Sequence, residues 1–394
     1  EGLSFASVDE ALQGQIAGLD IVFSSGDVGA KSTMRLRGTS TINGNAEPLL
    51  VVNDNIFEMP AGEEFNFADA NEEQFAQLLT ISPDDIESIE VLKDASASAI
   101  WGSRGANGVI MIKTKRGARG KTRVTYSYRY SDKWIPKGLN LLDGDEYTMF
   151  LKESHFNPRQ NSSDAYANEI AYDDTWVEWE NYNENTDWVG AISKHAHTHD
   201  HTISLNGGGE KATFRVSGSY YNETGTIIGQ ELDRFTTRMA LDYFVSDRIK
   251  VSSDFSLTYT DHDQNYQDLL ANAQIIMPNM SIWAQDREGN NTDDYYIMPQ
   301  ATIDGDMFKD DQRKIINPVA MGNLAWKNEK SYRITPQLSI DYNLLGLNHG
   351  ETQLRYYGMI NMDAFTRSNT SYRPGSLTTE GGASGATNAG SVNE

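Results

Sequence analysis

The chain has 394 residues, with 33 Lys and Arg against 56 Asp and Glu, so its formal net charge is −23. So acidic a chain lacks the basic face with which nucleic-acid binders neutralise phosphates. It contains no cysteine, which excludes disulfides, thiolate nucleophiles and cysteine-ligated metal centres. No stretch approaches the ~18 consecutive apolar residues of a transmembrane helix. A spanning β-barrel passes these tests because its strands alternate apolar and polar residues.

The sequence changes character near residue 120, and the part before it predicts a small α/β unit. A Ser-Pro-Asp-Asp sequence at 82–85 is typical of a helix start. A strand follows over 86–92, then helical turns over 95–101 and a second strand over 109–114. Both strands carry apolar residues on both faces, so we expect Ile89–Leu92 to pair with the second strand at the centre of the unit.

After residue 121 the chain alternates apolar and polar residues over about seven segments of roughly ten to thirteen residues, a length that suits a tilted crossing of a bilayer. In the first segment Val124, Tyr126 and Tyr128 alternate with Arg123 and Arg129. Ordinary globular strands are shorter, at ~5–6 residues. The segments therefore predict antiparallel strands with one face toward lipid and the other toward a polar lumen.

The predicted connections differ in length from one end of the sheet to the other. Short turns are expected at 207–210, 246–248 and 344–350. Long loops are expected at 132–196, 222–233, 261–330 and 363–394. This sorting is typical of outer-membrane barrels. About seven strands cannot enclose a plugged lumen, which needs ~22, so we expect the chain to be a piece of a longer protein.

Several stretches carry a family resemblance. In the first part they are ALQGQIAG (11–18), MRLRGTSTINGNAEPLLVV (34–52) and ISPDDIESIEVLKDASASAIWGSRGANGVIMIKTKRG (81–117). In the second they are TDWVGAIS (186–193), SLNGGGEKATFRVSGSYYNETGTI (204–227) and the strand pair 234–258. Together they resemble the SusC/RagA branch of TonB-dependent outer-membrane transporters of Bacteroidota. Two departures are Asn53-Asp54-Asn55, where the family usually has Asp-Gly, and Trp101, where Tyr is commoner.

The resemblance implies a membrane β fold. Residues 1–120 would form an α/β plug domain inside an antiparallel transmembrane β-barrel, and residues 121–394 would supply the first ~7 of its ~22 strands. Below, the residues before Gly120 are called the plug.

The resemblance also implies a transporter of the Gram-negative outer membrane, in contact with its lipids. Because no Ser/His/Asp set, paired-carboxylate motif or phosphate-binding loop stands out in the sequence, we expect neither an enzyme nor a cofactor. The transporter would import a large nutrient, an oligosaccharide or a peptide. TonB–ExbB–ExbD would drive it through residues upstream of Glu1, and a SusD-like surface lipoprotein would cover it. The alternative is a SusC-like barrel that serves as a structural subunit of a larger outer-membrane assembly or secretion complex without transport.

Three arginines of the plug, Arg35, Arg37 and Arg104, are candidate contacts to the barrel wall. Ion pairs between guanidinium and carboxylate groups can hold a plug in a polar lumen and still break when it is pulled. The alternative for these residues is solvation or pairing within the plug.

The first long loop is crowded with aromatic residues, which are candidate contacts for the ligand or, preferably, for the lipoprotein. They are Tyr166, Tyr172, Trp176, Trp179, Tyr182 and Trp188.

Four histidines alternate along one strand: His195, His197, His199 and His201. We interpret them as part of a belt of amphipathic rings at the membrane surface. The less favoured alternative is that an adjacent pair, ~6.6 Å apart on one strand face, shares a Zn²⁺ or Cu²⁺ ion.

Overall fold

The computed structural model describes most of the long-stranded part of the chain and selected segments of the plug. The described residues are 12–15, 19–23, 27–28, 32–36, 48–56, 82–93, 99–138, 140–159, 179–298, 315–346, 352–377 and 391–393.

The plug is built on a small mixed sheet. Its strands are β1 Leu19–Phe23, β2 Ser32–Leu36, β3 Leu49–Val52, β4 Asn55–Ile56, β5 Ile86–Leu92 and β6 Val109–Thr114. Four of them form a sheet in the order β4-β3-β6-β5, in which β6 runs parallel to β3 and antiparallel to β5. The predicted pairing of Ile89–Leu92 with 109–114 is confirmed. Ile110 and Ile112 are about 1% exposed and anchor the core of the plug.

The second part forms a nine-stranded antiparallel sheet, called the wall. The remaining strands of the chain are β7 Gly120–Lys133, β8 Ala196–Gly208, β9 Ala212–Thr224, β10 Glu231–Phe244, β11 Ile249–Gln264, β12 Trp283–Gln285, β13 Asn291–Tyr295, β14 Trp326–Leu345, β15 Leu354–Asn361, β16 Ala364–Arg373 and β17 Ser391–Asn393. The wall has the order β17-β16-β14-β11-β10-β9-β8-β7, and β15 also pairs with β14. Its main strands reach 20 residues in β14.

The wall is apolar on its outer face and polar on its inner face. In β10 the outward Met239 and Leu241 are 52% and 46% exposed, whereas the inward Arg238 and Asp242 are 6% and 7% exposed. Val124, Tyr126 and Tyr128 of β7 are exposed on the same outer face, as the alternation predicts. This distribution is the reverse of that in a water-soluble protein, and it is the one that a bilayer requires.

The structure corrects the predicted loop bounds. The connection predicted at 222–233 is shorter, because β9 continues to Thr224 and β10 begins at Glu231. The loop predicted at 261–330 also loses residues at both ends, to β11 and β14. The segment predicted as loop 363–394 contains β16 and β17. At the outer ends of β9, β10 and β11 the outward residues Asn222, Asp233 and Asp261 are polar, so the alternation that reveals a strand disappears.

Pro336 lies inside β14, although proline disfavours a strand interior. On one side it is opposite Phe255 of β11. On the other side its carbonyl accepts a hydrogen bond from the backbone N–H of Met362, and the partner strand is interrupted there between β15 and β16. The missing N–H of proline accounts for the interruption, since it removes one ladder bond.

The long connections fold together at the end of the wall opposite its short turns. They contain α1 Gly144–Arg159, α2 Trp188–Ile192, α3 Leu269–Ile275 and α4 Pro318–Leu324. We call residues 179–194, 225–230, 266–298 and 315–325 the loop cluster, because α2, α3, α4 and the β12–β13 hairpin share one hydrophobic core. In the part of the chain that the structure describes, no helix has the length and apolarity to span a membrane.

Replacing Ile203 with Lys tests whether the outer face meets lipid. Ile203 is 47% exposed in the middle of β8. A lysine there should lower the free energy of unfolding by ~2–4 kcal/mol if the site lies near the bilayer centre. The matched control is Thr125→Lys. Thr125 is paired with Ser204, the residue that follows Ile203 on β8, and therefore lies on the inner face. Urea unfolding of the full-length protein in lipid vesicles measures both, and equal costs would contradict the assignment of the faces.

Candidate functional site: the interface between plug and wall

A short turn of the plug points two carboxylates at the wall. Pro83–Asp85 forms a single 3₁₀ turn directly before β5, with Ser82 at its N-cap position. The backbone N–H of Asp85 donates to the carbonyl of Ser82, and the carbonyl of Asp85 accepts from the N–H of Lys115. The predicted helix start is therefore one turn long. It places Asp84 and Asp85 side by side against the inner face of β7, β8 and β9.

Asp84 is held by β7 and β8. Its carboxylate pairs with the guanidinium of Arg129 through both oxygens and accepts a hydrogen bond of 2.9 Å from Thr202 Oγ1. Arg129 also pairs with Asp200 of β8, with 2.8 Å between Nη2 and Oδ2. Partial burial alone would raise the pKa of Asp84, but the hydrogen bonds from Arg129 and Thr202 lower it below its ordinary value of 3.8. Asp84 therefore binds the wall as a carboxylate.

Asp85 is the more deeply buried of the two, at 4% exposure. Its carboxylate accepts hydrogen bonds from Arg215 Nη2 at 3.2 Å and from Ser217 Oγ at 2.8 Å, both on β9. Arg215 is itself only 8% exposed. A buried ion pair of this kind is strongly destabilised when one partner is removed, because the other charge stays buried.

The segment that leaves β6 is bound to the neighbouring wall strands. Arg238 Nη1 donates to the carbonyl of Lys115 at 2.8 Å, while the same guanidinium pairs with Asp254. Arg116 Nη1 lies 2.8 Å from Asp242 Oδ1. Gly117 packs so closely on the backbone of Phe214 that an added Cβ would lie 2.4 Å from its nitrogen. The plug is therefore attached near the short turns of the wall as well.

The β3–β4 hairpin adds a contact to β14. Asn53 and Asp54 have φ of 50° and 66°, which suits a two-residue hairpin turn and residues that tolerate the left-handed region. Asn53 Oδ1 accepts from the backbone N–H of Thr114 at 3.0 Å and fixes the turn to β6. Asn55 Nδ2 then donates to Gln337 Oε1 at 2.9 Å. Asn53-Asp54, which stands where the family usually has Asp-Gly, therefore still forms a tight turn.

A further pair of contacts lies near the loop cluster. His262 of β11 hydrogen-bonds through Nε2 to the carbonyl of Val28 at 2.9 Å. Gln230 Nε2 donates to Asp27 Oδ1 at 2.7 Å. The Val28 side chain packs with Tyr221 and Leu232 of the wall. Contacts thus run along the whole height of the inner face.

The three predicted arginines have different outcomes. Arg37 lies outside the described residues, as does the side chain of Arg35, and Arg104 is exposed in the Ala99–Gly105 turn. Their contacts to the wall stay a prediction. The type of interaction was foreseen, but in the pairs made by Asp84 and Asp85 the wall supplies the guanidinium and the plug the carboxylate. Sequence reasoning used 82–85 only as a helix start and missed this role.

Two of the six predicted aromatic contacts are buried in the loop cluster. Tyr182 is 2% and Trp188 is 3% exposed. Trp188 Nε1 donates to the carbonyl of Met277 at 3.0 Å, and Tyr296 Oη donates to Tyr182 Oη at 3.0 Å. These two rings therefore belong to the hydrophobic core. Trp179 is half-buried at the edge of that core, and Tyr166, Tyr172 and Trp176 lie outside the described residues.

His199 and His201 lie on β8 and face outward among tyrosines, with His197 on the same face, whereas His195 precedes the strand, which begins at Ala196. His199 Nδ1 lies 2.9 Å from Tyr128 Oη, and His201 Nδ1 lies 2.9 Å from Tyr126 Oη. The belt stays a prediction that this geometry accommodates. Over the described residues, no group of three or more His, Asp or Glu side chains is arranged to hold a metal ion.

Comparison with known proteins gives consistent matches. Residues 2–109 match the family model of the TonB-dependent Receptor Plug Domain. TonB-dependent receptor P26 of Formosa agariphila is 30% identical over 300 residues, which cover 74% of this chain and 27% of the receptor. TonB-dependent receptor SusC of Bacteroides thetaiotaomicron is 33% identical over 252 residues, 62% of this chain and 22% of that protein. The chain thus spans about a quarter of the length of these relatives.

A solved structure shares the fold. The RagAB peptide importer in its closed-closed state superposes with a TM-score of 0.72 at 21% sequence identity. The match covers 95% of this chain and 40% of that one.

Replacing Asp85 with Ala should loosen the plug. The substitution strands Arg215 as a buried charge, so we expect a loss of ~3–5 kcal/mol in the stability of the seated plug. Hydrogen exchange at the β5 and β6 amides of the full-length protein measures it. The control is Lys113→Ala, since the Lys113–Glu90 pair is on the surface of the plug and should contribute little. Similar exchange rates in both variants would contradict the role of Asp85 in holding the plug.

Asp84 predicts a pH dependence. A carboxyl whose pKa is lower in the folded state stabilises that state above its ordinary value of 3.8 and ceases to do so as the pH falls through the lowered value. The difference in plug stability between the native protein and Asp84→Asn should therefore be constant from neutral pH to about pH 4 and shrink below it. Hydrogen exchange at several pH values measures this difference. A difference that grows on acidification would refute the assigned sign.

Proposed function

Because the chain belongs to the SusC/RagA-type TonB-dependent receptors and carries their plug and the first part of their barrel, we propose that it is the gated part of an outer-membrane importer. The cargo is a nutrient too large for porins, an oligosaccharide or a peptide. A SusD-like lipoprotein covers the loop end, and TonB with ExbB and ExbD supplies the force from the periplasm. The names of SusC and of the RagAB peptide importer support this assignment.

The observation that carries the proposal is the polar character of the contacts at the acidic turn and the exit segment. Asp84, Asp85 and Arg116 contact charged or hydroxyl side chains of the wall. The apolar core of the plug, with Ile110 and Ile112, lies within the plug itself. Pulling the plug away therefore exchanges hydrogen bonds with the wall for hydrogen bonds with water, at a net cost of ~1.5–3 kcal/mol for each bond that involves a charged group. Among the side-chain contacts described above, only that of Val28 with Tyr221 and Leu232 is apolar, so displacement of the plug exposes little apolar surface at them and can be reversed.

A reversible covalent lock tests the proposal. Asn55→Cys with Gln337→Cys would join the plug hairpin to β14, since the two native side chains are in hydrogen-bond contact. The 394 residues contain no other cysteine. We expect oxidation to stop uptake by cells that carry the full-length receptor, and a reductant to restore it. The measurement is growth on the nutrient that the receptor imports.

The control is a lock within the wall. Thr236→Cys with Thr258→Cys joins two residues that are opposite each other on β10 and β11, and it should leave uptake unchanged. If the plug-to-wall lock also leaves uptake unchanged, the gated import is refuted and the structural-subunit alternative gains support.

A further inference from the structure

The short-turn end of the wall carries an excess of positive charge. Three segments lie there: residues 117–123, which lead into β7, the β8–β9 turn 209–211 and the β10–β11 turn 245–248. Their exposed cations are Arg119, Lys121, Arg123, Lys211 and Arg248. The same segments contain only two carboxylates, those of Glu210 and Asp247. In a chain whose formal net charge is −23, this end is therefore locally positive.

The outward-facing residues at the loop end have the opposite charge. Glu231 and Asp233 of β10 lie opposite Asp263 and Asp261 of β11. Lys330 of β14 is opposite Asp261 and pairs with it at 3.2 Å. Four carboxylates around one lysine repel anions, whereas the cations of the short-turn end attract them. The two leaflets of a bilayer around the wall therefore meet surfaces of opposite charge.

Arg248 is held in place at the edge of the apolar outer face. Its Nη1 donates to the carbonyl of Leu344 at 3.1 Å, and its own carbonyl accepts from the backbone N–H of Asn343 at 2.9 Å. These bonds join the β10–β11 turn to the end of β14. A guanidinium has five N–H donors, and that of Arg248 makes no other hydrogen bond or ion pair with the residues that the structure describes. It therefore presents a positioned fork of donors, which suits the oxygen atoms of a phosphate.

Exposed apolar side chains adjoin this guanidinium. Leu344, whose carbonyl Arg248 binds, is 40% exposed, and the following Leu345 is 54% exposed. Val245, at the start of the same turn as Arg248, is 53% exposed. A cation beside apolar surface is typical of the level at which a protein meets both the headgroups and the acyl chains of a bilayer. A soluble acidic segment would neutralise the cation but leave the apolar side chains in water, so a lipid is the better fit.

Two further cations extend the positive surface around Phe244 at the end of β10. The backbone N–H of Phe244 donates to the carbonyl of Lys211 at 2.8 Å, which attaches the β8–β9 turn to this strand. The guanidinium carbon of Arg119 lies 5.2 Å from the centroid of the Phe244 ring. Within the described part of the chain, no carboxylate forms an ion pair with Lys211 or Arg119. Their charges are therefore available to an anion from outside the protein.

We propose that this surface binds the headgroup of an anionic phospholipid in the leaflet on the side of the short turns. The phosphate accepts hydrogen bonds from Arg248, Lys211 supplies a second positive charge, and the acyl chains lie along Val245 and Leu344. The inference goes beyond the proposed import, since it requires only that the wall spans a bilayer.

Native mass spectrometry of the purified full-length protein in detergent tests the surface. The probes are phosphatidylglycerol and phosphatidylcholine with identical acyl chains, and the affinity for the first bound lipid is measured. We expect phosphatidylglycerol to bind more tightly. Arg248→Gln and Lys211→Gln should each weaken its binding about fivefold, which corresponds to ~1 kcal/mol for one cation. Arg248→Lys, which keeps the charge but not the fork of donors, should lie between Arg248→Gln and the native protein.

Lys330→Gln is the matched control. Lys330 is also an exposed cation of the wall, but it lies at the loop end and pairs with Asp261. Its replacement should leave the affinity for phosphatidylglycerol unchanged, and thermal melts of all variants confirm folding. Three results would each overturn the proposal: equal affinity for the two lipids, equal loss in Lys330→Gln and Arg248→Gln, or displacement of the lipid by inorganic phosphate or by an acidic peptide. Lipid binding is measured without uptake, so failure of this surface is distinguishable from failure of gated import in the lock experiment.

Discussion

The ion pair between Asp85 and Arg215 is the contact on which the position of the plug depends. Both partners are almost fully buried, so neither charge can be compensated by water. A barrel strand that places arginine on its inner face needs a carboxylate from elsewhere, and the plug supplies it. Once Asp85 is in place, the adjacent Asp84 comes within reach of Arg129 and Thr202. The first contact therefore determines the orientation of the whole acidic turn.

The same constraint explains the unusual composition. A chain with 38% hydrophobic residues and a net charge of −23 has fewer apolar residues than an ordinary globular protein uses for its core. It needs fewer, because the wall places apolar side chains on its outer face, where lipid solvates them. Its inner face is satisfied by ion pairs such as Arg238 with Asp254. In the described part of the chain, the two larger apolar cores lie in the plug and in the loop cluster.

The predictable part of the structure is the part that depends on local periodicity. Alternation over two residues located the long strands and their outward faces, and the apolar runs located β5 and β6. Strand ends were misjudged where the outward residues are polar, as at Glu231 and Asp233. The acidic turn was missed for a different reason. Asp85 and Arg215 are 130 residues apart, and nothing local distinguishes a helix-start aspartate from one that binds a distant arginine. The aromatic residues were equally ambiguous, since composition does not separate the fully buried Trp188 from the half-buried Trp179.

The distribution of contacts along the wall determines how the plug can yield to force. Arg116 and Asp85 are bound within a few residues of the short turns, Asp84 in the middle of the sheet, and Val28 near the loop cluster. A force applied from the side of the short turns does not act equally on these contacts. Contacts that bear the force one after another break at a lower force than contacts that bear it together. The chain itself continues from the plug into β7 next to Arg116, so that end is tethered covalently and cannot be lost. Partial displacement, with the Arg116 end retained and the upper contacts exchanged for water, is therefore the motion that the arrangement favours.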